Sequence, residues 1–437
     1  MQFSGIEQNL SGWGNYPKIK SIFRPFYSVE KFHFDDQSII PRGLGRSYGD
    51  SALNQIVVDM TRLDRFLFFD ETKGILHCQS GISLHTILSV IVPSGWFLPV
   101  TPGTKYVTLG GAIACDVHGK NHHIEGSFCD YIISMNILTG YGEVLLCSHE
   151  INKDLFYATC GGMGLTGIII DACFNLKSIQ GEKINALKIK ANNIDEALQI
   201  FDENKSATYS VAWIDSLKKG GNKGRSIVFI GDHDDSKNIR SNHNRTINVP
   251  FYPPSFLLNK SSIQLFNSLF YNIQSNQLNK KIMHYEDFFY PLDSINNWNK
   301  LYGRNGFFQY QFVVPFSVGV NGIKIILDKI INSRLGSFLA VLKIFGKGNN
   351  NILSFPMEGY TLSIDIKYQK EAFKIFNYID NIIIEMMGKI YLAKDARMSA
   401  KTFKSTYLNW EKFQEIREQY GSIETFSSLQ SKRIGLN

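Results

Sequence analysis

Up to about residue 185 the chain alternates short apolar runs with glycine-rich turns. Residues 56–60, 75–79, 132–138 and 144–147 are rich in Val, Ile and Leu between turn residues, which predicts strands. Thr139-Gly-Tyr-Gly142 separates the last two and predicts a hairpin turn. Residues 82–92 carry apolar side chains at helical spacing, and 154–160 reads as a short helix ahead of the apolar run 165–173. The composition shifts near residue 185. Beyond it, 195–204 predicts a helix and 227–231 a strand. Residues 216–250 are rich in Lys, Gly, Asn, Asp and Ser, which predicts a mobile loop. Residues 307–315 read as a strand. Residues 320–331 form an amphipathic pattern with Ile323, Ile326, Ile330 and Ile331 on one side. Further strands are predicted within 353–366, then a long helix over 371–387 with Gly388 as its C-cap. A short strand at 389–392 and two helical stretches complete the pattern, with no internal repeat.

A chain of 437 residues is long enough for two or three domains. Its 44% hydrophobic and 19% charged content argues against disorder. The 32 Phe and 20 Tyr suit either aromatic cavity walls or an apolar core. The net charge of +7 is scattered, without the clustering that a nucleic-acid binder needs, so no nucleic-acid partner is expected. A mild positive excess does suit an anionic small molecule or a lipid headgroup. The cysteines, Cys78, Cys115, Cys129, Cys147, Cys160 and Cys173, form no C-x-x-C pair, which argues against a zinc knuckle. The first residues lack the charged and apolar regions of a signal peptide. Reduced thiols and a cytoplasmic location are therefore expected. No apolar run reaches the ~18 residues of a membrane-spanning helix, which leaves only peripheral membrane contact open.

Three glycine-rich stretches could approach a ligand. Arg42-Gly-Leu-Gly-Arg-Ser-Tyr-Gly-Asp50 lacks Rossmann spacing, yet successive N–H groups in such a turn can cradle a pyrophosphate. Gly161-Gly-Met-Gly-Leu-Thr-Gly167 does match the dinucleotide spacing. It follows a predicted helix and opens a β-rich run, the reverse of the Rossmann order, so a nicotinamide fold is excluded. The third stretch joins Thr101-Pro-Gly-Thr104 to the segment 109–123, where small residues at 110–112 allow close backbone approach. Asp116, His118, His122 and His123 have the chemistry of metal ligands. Gly119 interrupts any helix that would align His118 with His122, so hydrogen-bonding loop roles are preferred and no metal is expected.

In this order the stretches resemble the flavin-binding domain of the vanillyl-alcohol-oxidase superfamily. The closer resemblance is to the oxidase subunits of decaprenylphosphoryl-β-D-ribose 2'-epimerases. It rests on RGLGRSYGD at 42–50, TPGT at 101–104, GGAIAC-D at 110–116, HGKNHH at 118–123, GSF at 126–128 and GLTGII at 164–169. It continues through AW at 212–213, PLD at 291–293, WN at 298–299, QYQFV at 309–313, LSFP at 353–356 and AKDAR at 393–397. Together these span essentially the whole chain.

The resemblance implies a two-domain α+β fold of the PCMH type. The FAD domain would comprise 1–183 and 389–437, and the substrate domain, an antiparallel sheet with helices, 184–388. FAD is the implied cofactor, its pyrophosphate along 43–47 and 110–112. The implied cofactor-binding residues are Trp13, Gly43, Leu44, Gly45, Arg46, Ser47, Tyr48, Ala52, Pro102, Gly103, Thr104, Thr108, Gly110, Gly111 and Ala112. Cys115, Asp116, His118, Gly119, Asn121, His123, Gly164, Gly167, Ile168, Tyr391, Ala393 and Lys394 complete the set. Many relatives link the flavin covalently to a histidine of the first loop. Arg46 stands at that place and cannot make the bond, so dissociable FAD is expected. The implied substrate-side residues are Lys120, Trp213, Phe289, Lys300, Gln309, Gln311, Lys343, Phe345, Thr361, Ser363 and Asp365. Lys394 is assigned to stabilising the negative charge that a reduced flavin carries near N1 and O2. Tyr48, His118 and Lys394 are the candidate bases.

Some positions depart from the family pattern. The family carries a cysteine near the flavin that covalent inhibitors capture, and Ser363 replaces it, so no such capture is expected. Asparagines are replaced by Thr361 and Ala340, a tyrosine by Phe289 and an arginine by Lys300, which keeps the charge without the bidentate fork. These changes bear on which sugar is accepted. The leading expectation is the oxidase half of a polyprenylphosphoryl-pentose 2'-epimerisation in cell-wall sugar synthesis, with an NAD(P)H-dependent reductase as partner. An alditol or aldonolactone oxidase using O₂ and a non-catalytic flavoprotein are the alternatives.

Overall fold

The computed structural model describes residues 5–34, 37–235, 246–254, 257–275, 279–333 and 335–437. Its strands are mostly antiparallel and are combined with helices, an α+β arrangement. A four-stranded sheet runs in the order Ile6–Ser11, Lys18–Pro25, Ile56–Asp59, Ile39–Arg42, the last two pairings being parallel. An antiparallel five-stranded sheet follows, in the order Phe66–Asp70, Ile75–Gln79, Ile168–Asn175, Ile132–Leu138, Val144–Ser148. The predicted 139–142 turn joins its final pair.

The largest sheet has eight antiparallel strands. Its order is Asn279–His284, Lys183–Ala191, Ser226–His233, Tyr209–Ile214, Ala340–Phe345, Gly359–Lys367, Phe307–Pro315, Lys389–Ile390. Successive side chains in a strand point to opposite faces. Phe308 and Tyr310 therefore pack on Phe376 of the helix Lys370–Glu385, while Phe307, on the other face, meets Tyr48. Gln309 and Gln311 share the face of Phe307. Register then places Ser363 between Gln311 and Val341, Thr361 beside Lys343, and Asp365 beside Gln309.

Side-chain caps fix the helix starts that matter for the site. Ser83 accepts from the Thr86 N–H at the head of Leu84–Ile91, and Thr108 accepts from the Gly111 N–H at the head of Leu109–Ala114. The return of the chain after the large sheet is stapled by buried charge. Arg433 donates to Asp50 at 3.0 and 2.6 Å and pairs with Asp395 at 2.9 Å. Arg417 is fully buried and donates to the carbonyls of Leu165, Leu436 and Phe426 at 3.0, 2.7 and 2.7 Å.

Several expected elements differ. The long helix ends in a left-handed residue, but that residue is Met387 (φ 55°), not Gly388. Gly388 follows it and donates to the Ile383 carbonyl while Met387 donates to Ile384, a Schellman closure displaced by one residue. Within 353–366 only Gly359–Lys367 contributes a strand. The stretch 216–250 is not one loop, because Ser226–His233 is a strand of the large sheet; residues 236–245 lie outside the described ones. The short strand at 389–392 stops at Ile390 and becomes a 3-10 turn, Leu392–Lys394. The two final helical stretches are four helices, Ala400–Thr406, Trp410–Gln419, Ser422–Thr425 and Leu429–Arg433.

Candidate active site

One cavity of about 1050 Å³ runs from the loops around 43–47 and 101–111 across a face of the eight-stranded sheet. That exceeds the ~300–1000 Å³ of an ordinary small-molecule site, so it has room for more than one ligand group. Its loop side is lined by Trp13, Gly43, Leu44, Gly45, Arg46, Ser47, Tyr48, Ala52, Pro102, Gly103, Thr104, Thr108, Gly110, Gly111, Cys115, His118, Gly119, Gly164 and Gly167. Tyr391, Ala393 and Lys394 close that side. On the sheet side Lys120, Trp213, Phe289, Gln309, Gln311, Lys343 and Ser363 line it.

Other expected residues stand behind this wall. Asp116 is fully buried and accepts from Ser127, the Cys129 N–H, Asn349, Asn351 and Ser354, so it organises loops. Asn121 donates to the Pro99 carbonyl and His123 bonds the Ala207 carbonyl, each tying down a loop. Ala112 and Ile168 are core residues. Phe345 packs under His118 and His122, at ring distances of 4.8 and 4.5 Å. Thr361 and Asp365 support Gln311 and Gln309 from below. Lys300 lies beside the Tyr252 ring, off the cavity.

The polar end of the cavity is a tight cluster. Lys394 holds its ammonium 3.8 Å from the Tyr48 ring centroid, a cation–π contact. Its backbone is fixed on both sides: Tyr48 N–H donates to the Ala393 carbonyl, and Asp395 is in the Arg433 network. Burial pulls the Lys394 ammonium below the ordinary lysine range, while the nearby Asp365 carboxylate opposes that loss of charge. Gln309 donates to Asp365, and Tyr302 reaches it from the other side. The Gln311 amide donates to His118 Nε2 at 2.9 Å, and His118 Nδ1 is buried without a partner among the described residues. Burial and the neighbouring lysines hold His118 well below its usual pKa, so the imidazole is neutral at pH 7. Tyr48 is pushed far up by burial and Asp365, so its phenol stays protonated. Lys120 and Lys343 are each brought down to about 7, by burial first and then by repulsion from another lysine.

A flavin dinucleotide needs anion-binding N–H groups, close backbone approach and a cation at the ring. The N–H groups of residues 43–47 find no acceptor among the described residues, which leaves five successive donors at the cavity edge. Ser80 Oγ is buried on the cavity wall, without a partner among the described residues. A Cβ on Gly103 would meet nothing within 4 Å, so this part of the wall is open to a ligand. The N–H groups of 110–112 are different, for they already donate to the Ser80 carbonyl, Thr108 Oγ1 and the Thr108 carbonyl. The residues therefore fit the group, with its diphosphate better served by 43–47 than by 110–112.

A family profile described as an FAD binding domain matches residues 28–148. The decaprenylphosphoryl-beta-D-ribose oxidase of Mycolicibacterium smegmatis is 36% identical, over 100% of this chain and 99% of its own length. The chain belongs to the decaprenylphosphoryl-β-D-ribose oxidase family. As a member of this oxidase family it is an FAD-dependent oxidoreductase with FAD as its cofactor. An uncharacterised Streptomyces coelicolor protein is 25% identical over 81% of the chain and all of its own length. A D-lactate dehydrogenase of Anaerostipes hadrus is 25% identical over 33% of the chain and 31% of its own.

Sequence reasoning missed the apolar half of the oxidase cavity. Val211, Phe229, Val341 and Met283 come from the sheet, and Ile263, Phe266 and Phe270 from the helix Lys260–Ile273. The signal was present: cavity-facing Val211 and Trp213 alternate with Ser210 and Ala212. Pattern alone does not say which face of a buried strand meets a ligand.

Proposed function

We propose that the chain oxidises a secondary hydroxyl of a polyprenylphosphoryl pentose to the ketone, as the oxidase half of a 2'-epimerisation. The observation that carries this is the continuity of the polar cluster Lys394–Gln309–Gln311–His118 with a long apolar trough in one cavity. The seven strands from Asn279–His284 to Phe307–Pro315 are six spacings wide, roughly 29 Å at ~4.8 Å each. A free sugar would leave most of that trough unfilled.

Bound FAD supplies the hydride acceptor at its N5. Around it the chain divides the remaining work. Gln309 and Gln311 orient the sugar hydroxyls. Lys394, kept charged by Asp365, would offset negative charge on a flavin held in this cavity. Tyr48 is protonated and Lys394 is charged, so neither accepts a proton at pH 7. Neutral His118 is the remaining candidate, and it takes the hydroxyl proton once the sugar displaces the Gln311 amide that its Nε2 accepts from. Lys120 and Lys343 face the cavity on the sheet side, where an anionic phosphate favours their charged forms. Arg46 lies 4.1 Å over Trp13 and cannot form a histidyl link, so FAD is held without a covalent bond. The sheet memberships support a flavin domain from 1–183 and 389–437 around a substrate domain 184–388. The eight-stranded sheet borrows two residues, Lys389 and Ile390, from beyond that boundary.

Anaerobic mixing with a panel of polyprenylphosphoryl pentoses and free sugars tests the reading. Bleaching of the flavin is expected with the lipid-linked pentoses. Turnover of simple polyols with peroxide release would favour an O₂-using alditol oxidase instead. A product that an added NAD(P)H reductase returns to the opposite epimer would place the reaction in its two-protein sequence.

A further inference from the structure

The helix Lys260–Ile273 is built inside out. Its inner face carries Ile263, Tyr271 and the fully buried Asn267, whose amide donates to Asp215 at 2.9 Å and the Ser337 carbonyl at 3.1 Å. Its outer face carries Leu265, Phe266, Leu269 and Ile273, which are 62%, 45%, 53% and 77% exposed. Positions four and eight apart share one side of a helix. Scattered exposed apolar residues are ordinary, but a stripe along one helix marks an interaction site. Leu257 before the helix and Ile282 on the edge strand Asn279–His284 are more than half exposed as well.

The segment that carries this stripe has charge of one sign, the acidic Glu196 lying beyond Tyr271 on the inner face. Between Asp235 and Glu286 the sequence contains no Asp or Glu, although it contains Lys260, Lys280 and Lys281. Lys280 and Lys281 are exposed on the edge strand, and Lys190 reaches the Gln274 carbonyl just past the helix end. A two-fold dimer through this face would set the same lysines against each other, because such an interface is self-complementary. A bilayer leaflet with anionic headgroups supplies both the missing apolar cover and the missing negative charge. The helix also roofs the cavity, since Ile263, Phe266 and Phe270 line it from the inner side and flank.

We propose that the outer face of Lys260–Ile273, with the lysines of Asn279–His284, docks on an anionic lipid surface and opens the apolar trough toward it. An apolar tail can then pass between bilayer and trough without crossing water. The docking bears on the proposed substrate, but it is measured without substrate, so the two can fail separately.

The experiment is flotation of the full-length FAD-loaded protein with phosphatidylcholine vesicles, with and without phosphatidylglycerol. Retention on the phosphatidylglycerol vesicles and release by salt are expected. Lys280→Gln with Lys281→Gln should weaken binding about fivefold per lysine. Leu265→Gln, Leu269→Gln and Ile273→Gln together should abolish it, with the flavin spectrum unchanged. Three results would overturn the proposal. They are equal retention on both vesicle types, wild-type flotation of the triple variant, and a variant that loses a dimer rather than vesicle binding.

Discussion

The two sides of the cavity are made differently. The loop side offers backbone: five N–H groups at 43–47 with no acceptor among the described residues, and glycines at 43, 45, 103, 110 and 111. The sheet side offers side chains, from Gln309, Gln311, Ser363, Lys343 and Trp213 to Phe229. Backbone recognises what every flavin dinucleotide shares, and its chemistry does not change with most substitutions. Side chains on a sheet can be exchanged one at a time without moving the strands. The loop side is therefore the conservative part of the site and the sheet side the adjustable one. Of the positions where the chain departs from its family pattern, Thr361, Ser363 and Ala340 lie in the sheet, and Phe289 and Lys300 in short helical turns outside it.

The sharpest way to break this division is to cut the staple that holds the Lys394 segment to the loop side. Arg433→Met leaves Asp50 and Asp395 buried without their shared cation. Loss of about 3–5 kcal/mol is expected for removing one partner of a buried pair, read by denaturant unfolding, with flavin release preceding global unfolding. Next in size, Lys394→Met should slow substrate-dependent flavin reduction by about 10²–10³-fold in anaerobic stopped flow, with substrate binding largely kept. An unchanged rate would remove the lysine from the chemistry. Asp365→Asn probes the same cation more gently. The carboxylate favours the charged ammonium, so its loss lowers the Lys394 pKa. The alkaline limb of the pH–rate profile should then move to lower pH; an unmoved limb would uncouple the two groups. On the loop side, Gly45→Ala forces a side chain into φ 65° and against the Arg42 guanidinium. The strain is about 1–2 kcal/mol, so FAD affinity should fall about tenfold by fluorescence titration, with the rate of the loaded enzyme little changed.

The same contrast decided what could be read from sequence. Loop motifs are local, so RGLGRSYGD and TPGT announced their side of the cavity directly. Both glutamines were legible because QYQFV matches the family pattern, yet their partners Asp365 and His118 meet them only through long-range pairing. The N–H groups of 110–112 were expected to face a ligand, but the Thr108 cap and the distant Ser80 carbonyl consume them. Gly388 was expected to end a helix that Met387 ends, because Schellman geometry tolerates a flexible side chain at the left-handed position when the next residue must be small. A Cβ on Gly388 would lie 2.5 Å from the Val313 carbonyl. The inverted helix Lys260–Ile273 shows its apolar stripe in the sequence, but periodicity reports a stripe, not which side faces solvent.

The two-residue strand Lys389–Ile390 pairs with Val313 and Phe312, and Tyr391 N–H then donates to the Gln311 carbonyl. Three residues later comes Lys394, and the next is anchored to Arg433. The distance along the chain from strand to staple is thus metered at both ends. Inserting or deleting one residue here would rotate the lysine out of the cavity, since a one-step slip exchanges the faces of a strand. Over evolutionary time length changes should collect in outlying loops and spare 389–397, however far the sheet side chains diverge.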